Sequence, residues 1–326
     1  MNPKHKIKNT IKNIPPIRKI VREYNIKQWE KFPTQISIES TSRCNSRCIT
    51  CEHKDMKRAK QDMTMELYEK IIKECSQYRK LITNLSLSFM GEPLLDENIF
   101  KKIKLAKEWG IRFISFICNG SLLTEEKAKR LIDSGIDSIV FSVDGAFKAS
   151  YEKIRVGLNY EQVTDNIKTL IGLKKKLKSK KPTISVDMVQ TEYNKGETEL
   201  FKTQWQGLAD EVMIRPLHVW GGEVIDKDLL NYSRNTLFNN KLSRRPCFYL
   251  WKSMFISQDG KVALCCVDAE CESGYGNITT SSIKEIWQGE QIKKVRKLHL
   301  CGEFDKIPLC GRCNFYLAKE MPWWWV

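Results

Sequence analysis

The chain has 326 residues, of which 41% are hydrophobic and 29% charged. That length suits two domains, or one large domain with an appendage, and the composition excludes global disorder. The net charge of +16 rests on 40 Lys against 15 Arg. A Lys-dominated excess spread along the chain reads as solvated surface, whereas nucleic-acid readers lean on Arg, so a nucleic-acid partner is not expected. No run approaches the ~18 apolar residues of a membrane span. No apolar stretch follows the basic N-terminus to make a secretory signal, so the expected location is cytoplasmic.

Residues 1–33 form a basic leader in which Ile14, Ile17, Ile20, Val21 and Trp29 are interleaved with Lys and Arg. The pattern predicts an amphipathic helix, either packed on the main domain or in peripheral contact with a membrane. From residue 34 to 216, strand-like and helix-like segments alternate. Residues 35–39 read as a strand, and 64–78 as a helix with Thr64 as N-cap and Glu66 in its first turn. Then come a strand at 84–89, a helix at 96–109 stopped by Gly110, and a strand at 112–117 closed by Asn119-Gly120. A helix at 124–133 precedes a strand at 138–143 closed by Asp144-Gly145. A helix at 160–177, a strand at 183–189, a helix at 197–208 and a strand at 211–215 complete the series.

Six strands separated by helices imply βαβ crossovers and a parallel sheet, so the fold class is α/β. In such folds function collects at the C-terminal ends of the strands. Those ends carry the cysteine segment 44–51, Gly91-Glu92-Pro93, Asn119-Gly120, Asp144-Gly145, Asn194 and Arg215. Residues 217–245 read as a linker with Gly221-Gly222, and 246–326 as a second unit. There, 254–257 and 262–265 flank Asp259-Gly260 as a β-hairpin, and a helix follows at 282–288.

The twelve cysteines carry the chemistry. In a chain this long without a secretory signal, clustered cysteines point to metal or redox work rather than disulfides. Cys44, Cys48 and Cys51 are spaced C-x3-C-x2-C. Three thiolates from one loop can hold three corners of an iron–sulfur cube and leave the fourth iron open. Zinc, with His53 as fourth ligand, is the alternative. Cys247 and Cys265, joined by the hairpin, and the hook Cys310-Gly311-Arg312-Cys313 form a second set. It fits either zinc or a closed iron–sulfur cluster. Cys266 is an alternative to Cys265, Cys271 and Cys301 lie outside the set, and Cys75 and Cys118 read as core residues.

A C-x3-C-x2-C loop after the first strand of an α/β chain resembles the radical S-adenosylmethionine (SAM) superfamily. The resemblance covers residues 35–216 and implies a partial (β/α)6 barrel. It implies that Gly91, Glu92 and Pro93 meet the amino end of SAM, with Met90 where many members have a further Gly. Thr50 stands where members carry a large apolar residue against the adenine. Asn119, Ser142, Asp144 and Asn194 fall where members approach SAM or substrate; strand-end turn chemistry is the alternative. The C-terminal region resembles the SPASM domain, its C-x9–15-G-x4-C opening matched by Cys247, Gly260 and Cys265. Cys310 and Cys313 match the next pair, but Lys319 stands where another cysteine is expected. The shortened form resembles the twitch domain, a small α+β unit with one auxiliary [4Fe–4S] cluster, as in the radical SAM dehydrogenase of butirosin biosynthesis.

The resemblance implies three cofactors: SAM, a SAM-binding [4Fe–4S] cluster and an auxiliary [4Fe–4S] cluster. It also implies a flavodoxin- or ferredoxin-type electron donor and a 5′-deoxyadenosyl radical that abstracts a substrate hydrogen. The expected reaction is a two-electron oxidation of a small molecule, namely a sugar, aminocyclitol or related alcohol. Modification of a ribosomal peptide or protein is the alternative. Arg215 and His218, at the end of the sixth strand, are the candidate catalytic residues. Arginine stays protonated and suits orienting a hydroxyl, and histidine suits proton transfer; Asp144 and Asp268 are alternative bases. Two rivals remain, a zinc-stabilised RNA-binding module and a non-catalytic iron–sulfur carrier. The first lacks an aromatic-basic strand for base stacking, and the second a fourth cysteine near Cys44, Cys48 and Cys51. The Trp323-Trp324-Trp325 tail reads as a cap on the auxiliary unit or an interfacial anchor.

Overall fold

The computed structural model describes residues 15–218, 228–229 and 244–313. Most of the 217–245 linker, the first part of the leader and Trp323-Trp324-Trp325 lie outside the described residues. The chain opens with α1 (Pro15–Trp29), followed by β1 (Gln35–Ile38), α2 (Met65–Gln77), β2 (Asn84–Ser86), α3 (Ile99–Glu108) and β3 (Ile114–Cys118). Next are α4 (Glu125–Asp133), β4 (Ser138–Ser142), α5 (Lys148–Ile154), α6 (Tyr160–Lys176), β5 (Thr183–Gln190), α7 (Thr198–Trp205) and β6 (Glu211–Pro216). The six strands stand side by side in chain order, each pair parallel. This is the expected α/β arrangement of a partial barrel.

Alternation along the strands makes two faces. Ile36, Ile38, Leu85, Ile114, Phe116, Ile139, Phe141, Ile184 and Val186 are buried in the main core. The other face carries small hydroxyls: Ser37, Ser86, Ser115, Ser138, Ser142 and Ser185. Several pair with neighbouring strands, as Ser115 Oγ donates to Asn84 Oδ1 at 2.9 Å and Ser185 Oγ to Glu211 Oε2 at 2.8 Å. The hydroxyl-bearing side leaves room above it, because serine fills so little volume.

Side-chain caps place the helix starts. Thr64, Thr124 and Asn159 each accept a backbone N–H from the residue three positions on, at 3.2, 3.2 and 2.8 Å. The third helix starts at Ile99, not at residue 96, because the Asp96 carboxylate is engaged elsewhere. It accepts from Asn98 N at 2.9 Å and pairs at 2.7 Å with Lys102, which is wholly buried and also donates to Ser40 O and Met63 O. Helix α5 has no counterpart in the sequence reading; it is seven residues long, about two turns, and lacks a side-chain cap.

The second unit continues the same sheet. After α8 (Tyr249–Lys252), β7 (Ser253–Ile256) pairs parallel to β1, with Ile36 in register with Met254. β8 (Lys261–Ala263) and β9 (Gly276–Asn277) add antiparallel strands, so the expected hairpin forms between β7 and β8. Helices α9 (Ile283–Trp287), α10 (Glu290–Leu300) and α11 (Pro308–Arg312) follow. A buried fork locks the units together: Arg58 donates to both Glu39 oxygens at 2.6 Å, to Ala269 O at 2.6 Å and to Gln258 Oε1 at 2.5 Å. The leader helix ends against the same region, where Trp287 Nε1 donates to Trp29 O at 2.6 Å. Its Ile20 and Tyr24 are exposed, and no described helix is long and apolar enough to cross a membrane.

Candidate active site

A cavity of about 740 Å3 lies at the C-terminal ends of the parallel strands. Cys44, Cys48 and Cys51 line it together with Gly91, Glu92, Asn119, Ser142, Asp144, Arg215 and His218. The fold thus gathers at one place residues that span 175 positions of sequence, from 44 to 218.

The cysteine loop is pinned to α5 and its end, since Arg47 N donates to Val156 O at 2.8 Å and Ile49 N to Ile154 O at 3.0 Å. Ser46 Oγ lies 3.2 Å from Cys44 Sγ and 3.3 Å from Cys48 Sγ. Removal from water pushes the Cys44 thiol up and the Cys51 thiol to about 12. These groups stay protonated at neutral pH unless a bound cationic centre makes thiolate favourable, which is what an iron–sulfur cluster does. His53 Nε2 is 2.8 Å from Ser42 O, so the proposed fourth zinc ligand is held by backbone. Among the described residues no three ligating side chains converge on a single ion. A cube makes no such demand, because each iron takes its own thiolate.

Gly91 is fixed by close approach: a Cβ there would lie 2.1 Å from Thr41 O and 2.8 Å from Arg43 O. With Glu92 N donating to Arg43 O at 2.8 Å, this stretch runs beside the cysteine loop. The Glu92 carboxylate is buried and accepts from Asn119 N at 2.7 Å, Leu94 N at 3.2 Å and Cys118 Sγ at 3.2 Å. Desolvation still raises its pKa. Pro93 opens a short 3-10 turn and is buried off the cavity wall. Asn119 bridges loops, with Nδ2 donating to Asn45 Oδ1 at 2.9 Å.

Asp144 is wholly buried and both oxygens are taken, by Val189 N at 2.7 Å and by Arg155 Nε at 2.7 Å. Asn194 lies behind the wall: its amide donates to Asp144 O and Val189 O and accepts from Thr191 N at 2.6 Å. Arg215 Nε donates to Asp187 Oδ2 at 2.6 Å. Burial, then the Arg215 charge, lowers the His218 pKa to about 4, so the ring is neutral at pH 7. Asp268 staples its own loop, accepting from Leu264 N at 2.9 Å and Ser273 N at 3.3 Å.

Arg155, Asp187, Tyr249 and Cys266 also line the cavity and were not picked out as cavity residues by the sequence. Arg155 Nη1 stands 3.7 Å from Cys48 Sγ. Its place depends on α5, whose short segment gave no helical signal. A lone carboxylate inside the fifth strand was the available signal for Asp187.

The second cysteine set gathers as well. Burial raises the Cys247 thiol, and Cys265, Cys313 and Cys310 raise it further; Cys310 is pushed up to about 12 for the same reasons. Cys265 lies with Cys247 and Cys310, and Cys266 lines the barrel cavity, but the two adjacent thiols hydrogen-bond each other, so both alternatives stand. His299 bridges the group: Nδ1 accepts from Cys247 N at 3.2 Å and Nε2 lies 3.3 Å from Cys310 Sγ. Cys271 sits by Arg58 instead, Cys301 is exposed, and Cys75 and Cys118 are core residues as expected.

Comparison with known proteins accords with this geometry. Residues 38–188 match the radical SAM superfamily, and residues 247–314 match SPASM, an iron–sulfur cluster-binding domain. The tungsten-containing aldehyde ferredoxin oxidoreductase cofactor-modifying protein of Pyrococcus furiosus is 23% identical, over 88% of this chain and 90% of its own. The structure of BtrN in complex with AdoMet and 2-DOIA is 21% identical with a TM-score of 0.59, over 87% of this chain and 94% of its own. Streptococcus suis SuiB bound to precursor peptide SuiA is 14% identical with a TM-score of 0.63, over 91% and 72%. These two structures share the fold. The chain belongs to the radical SAM superfamily, as an enzyme with a C-terminal SPASM domain whose cofactors are SAM, its [4Fe–4S] cluster and an auxiliary iron–sulfur cluster.

Proposed function

We propose that this enzyme oxidises a hydroxylated ring substrate, a sugar, aminocyclitol or related alcohol, by two electrons. The observation that supports it is the wall formed by β4, β5 and β6. It places a hydroxyl (Ser142), a carboxylate (Asp187), a guanidinium (Arg215) and a neutral imidazole (His218) in the cavity that also holds the cysteine loop. A volume of about 740 Å3 falls among small-molecule sites. Bound SAM and its cluster supply a hydrogen-abstracting radical, and the auxiliary cluster supplies an electron acceptor.

Cys44, Cys48 and Cys51 would hold the first cluster, and Cys247, Cys265, Cys310 and Cys313 the auxiliary one. Gly91 and Glu92 would flank the amino end of SAM. Arg215 orients a substrate hydroxyl without losing its own proton. His218, neutral at working pH, takes the hydroxyl proton as the carbonyl forms. A flavodoxin- or ferredoxin-type protein would deliver the reducing electron. A peptide substrate is the second reading, favoured by the shared fold with SuiB, whose solved complex holds its precursor peptide.

The test is anaerobic reconstitution, with iron and sulfide counted and 5′-deoxyadenosine measured against ring polyols, amino sugars and peptides. About eight irons per chain, with one 5′-deoxyadenosine per ketone formed, is the expected result. Zinc without SAM cleavage would overturn the reading, and turnover of peptides alone would replace the substrate class.

A further inference from the structure

One carboxylate on the cavity wall is only half satisfied by the fold. Asp187 lies in β5, in register with Ser142 of β4 and Met213 of β6, and its side chain is 11% exposed. Oδ2 is taken by Arg215 Nε at 2.6 Å. Oδ1 is buried and has no hydrogen-bond partner among the described residues. Neighbouring Asp144 shows the contrast, because both of its oxygens have donors. Buried carboxylate oxygens in native proteins are nearly always paired, so an exception on a cavity wall points to a donor that arrives from outside.

The geometry points to Asp187 Oδ1 as the acceptor for a hydroxyl or ammonium hydrogen of the ring substrate. This rests on the proposed ring-alcohol reaction. Arg215 holds Oδ2 and so fixes the rotamer in which Oδ1 is enclosed without a donor. Ser142, level with Asp187 on the adjacent strand, adds a hydroxyl that can donate or accept beside it. Such a site selects by hydrogen count. A ring position bearing a hydroxyl or ammonium can donate to Oδ1, whereas a keto or deoxy position offers it nothing and leaves that buried oxygen without a donor. Burial also raises the Asp187 pKa, with Arg215 opposing.

The experiment uses the reconstituted enzyme and the probes glucose, 2-deoxyglucose, myo-inositol and glucosamine, with affinity read by ligand-observed NMR titration. Asp187→Asn keeps an acceptor for Arg215 but presents an amide donor in place of Oδ1; Asp187→Ser removes both oxygens. The expected result is binding to the wild type, a loss of about tenfold or more in both variants, and loss of discrimination between a hydroxylated probe and its deoxy congener. Equal affinity and equal discrimination in the variants would overturn the Asp187 assignment and leave the reaction class standing. Failure of the wild type to bind any of the probes would remove the ring-alcohol reading and this inference with it. A variant-free measurement covers the case of misfolding: in protein labelled with 13C-aspartate, the Asp187 carboxyl resonance should shift on adding the probe that binds. An unmoved resonance would overturn the contact.

Discussion

Arg155 Nε donates to Asp144 Oδ2 at 2.7 Å, and Asp144 is wholly buried. The pair ties the end of β4 to α5, the helix on which the cysteine loop rests. Removing one partner of a buried pair strands the other charge. Arg155→Met should therefore destabilise the protein by about 3–5 kcal/mol, read as a lower urea midpoint. Arg155→Lys should recover only part, because an ammonium cannot serve Asp144 and Cys48 with one planar fork. Unchanged stability in the Met variant would show that the carboxylate is satisfied without it.

The two cysteine sets should fail independently. Replacing Cys44, Cys48 and Cys51 by Ala should halve the iron content, from about eight to about four per chain, and abolish 5′-deoxyadenosine formation. Replacing Cys310 and Cys313 should also remove about four irons while SAM cleavage persists. Iron loss in the first variant with cleavage intact would contradict the assignment of that loop.

Gly91→Ala forces a methyl group to 2.1 Å from Thr41 O, which is backbone and cannot rotate away. The expected outcome is a loss of about 1–3 kcal/mol in stability and weaker SAM binding by calorimetry. Normal SAM affinity in a folded Ala variant would mean that the backbone at 91 does not shape the cofactor site.

His218 gives a pH signature. Its folded-state pKa of about 4 lies below the ordinary histidine value, so between pH 6.5 and about 4 the unfolded chain binds the proton more readily. Stability should fall as pH drops through that window and level off below it. His218→Gln should flatten this part of the profile, measured as urea midpoints at matched pH. A variant with the wild-type slope would assign the acid sensitivity elsewhere.

Much of the site was legible because parallel α/β folds put function at strand ends, and the strand ends here carried unusual residues. The cysteine spacing, Gly91-Glu92 and Arg215 could be read without coordinates. What escaped were residues placed by contacts distant in sequence. Arg155 reaches Cys48 across 107 positions, and nothing local marks it. Helix α10 was missed because Gly289 precedes it without a side-chain cap. Adjacent Cys265 and Cys266 differ in nothing the sequence shows, and in the fold their side chains hydrogen-bond each other. The pairing of β7 with β1 is equally silent in sequence, since both strands are only four residues long and no turn joins them.

That pairing sets a timetable for synthesis. β1 lies between β2 and β7, and Gln35 waits 218 residues for Ser253 to arrive. At about 5–20 residues per second the ribosome needs roughly ten to forty seconds to deliver it. Through that interval the first strand presents an unpaired edge, open to pairing with another nascent chain. The earliest strand to emerge is thus among the last to be enclosed, and chains cut short before residue 253 carry the exposed edge permanently.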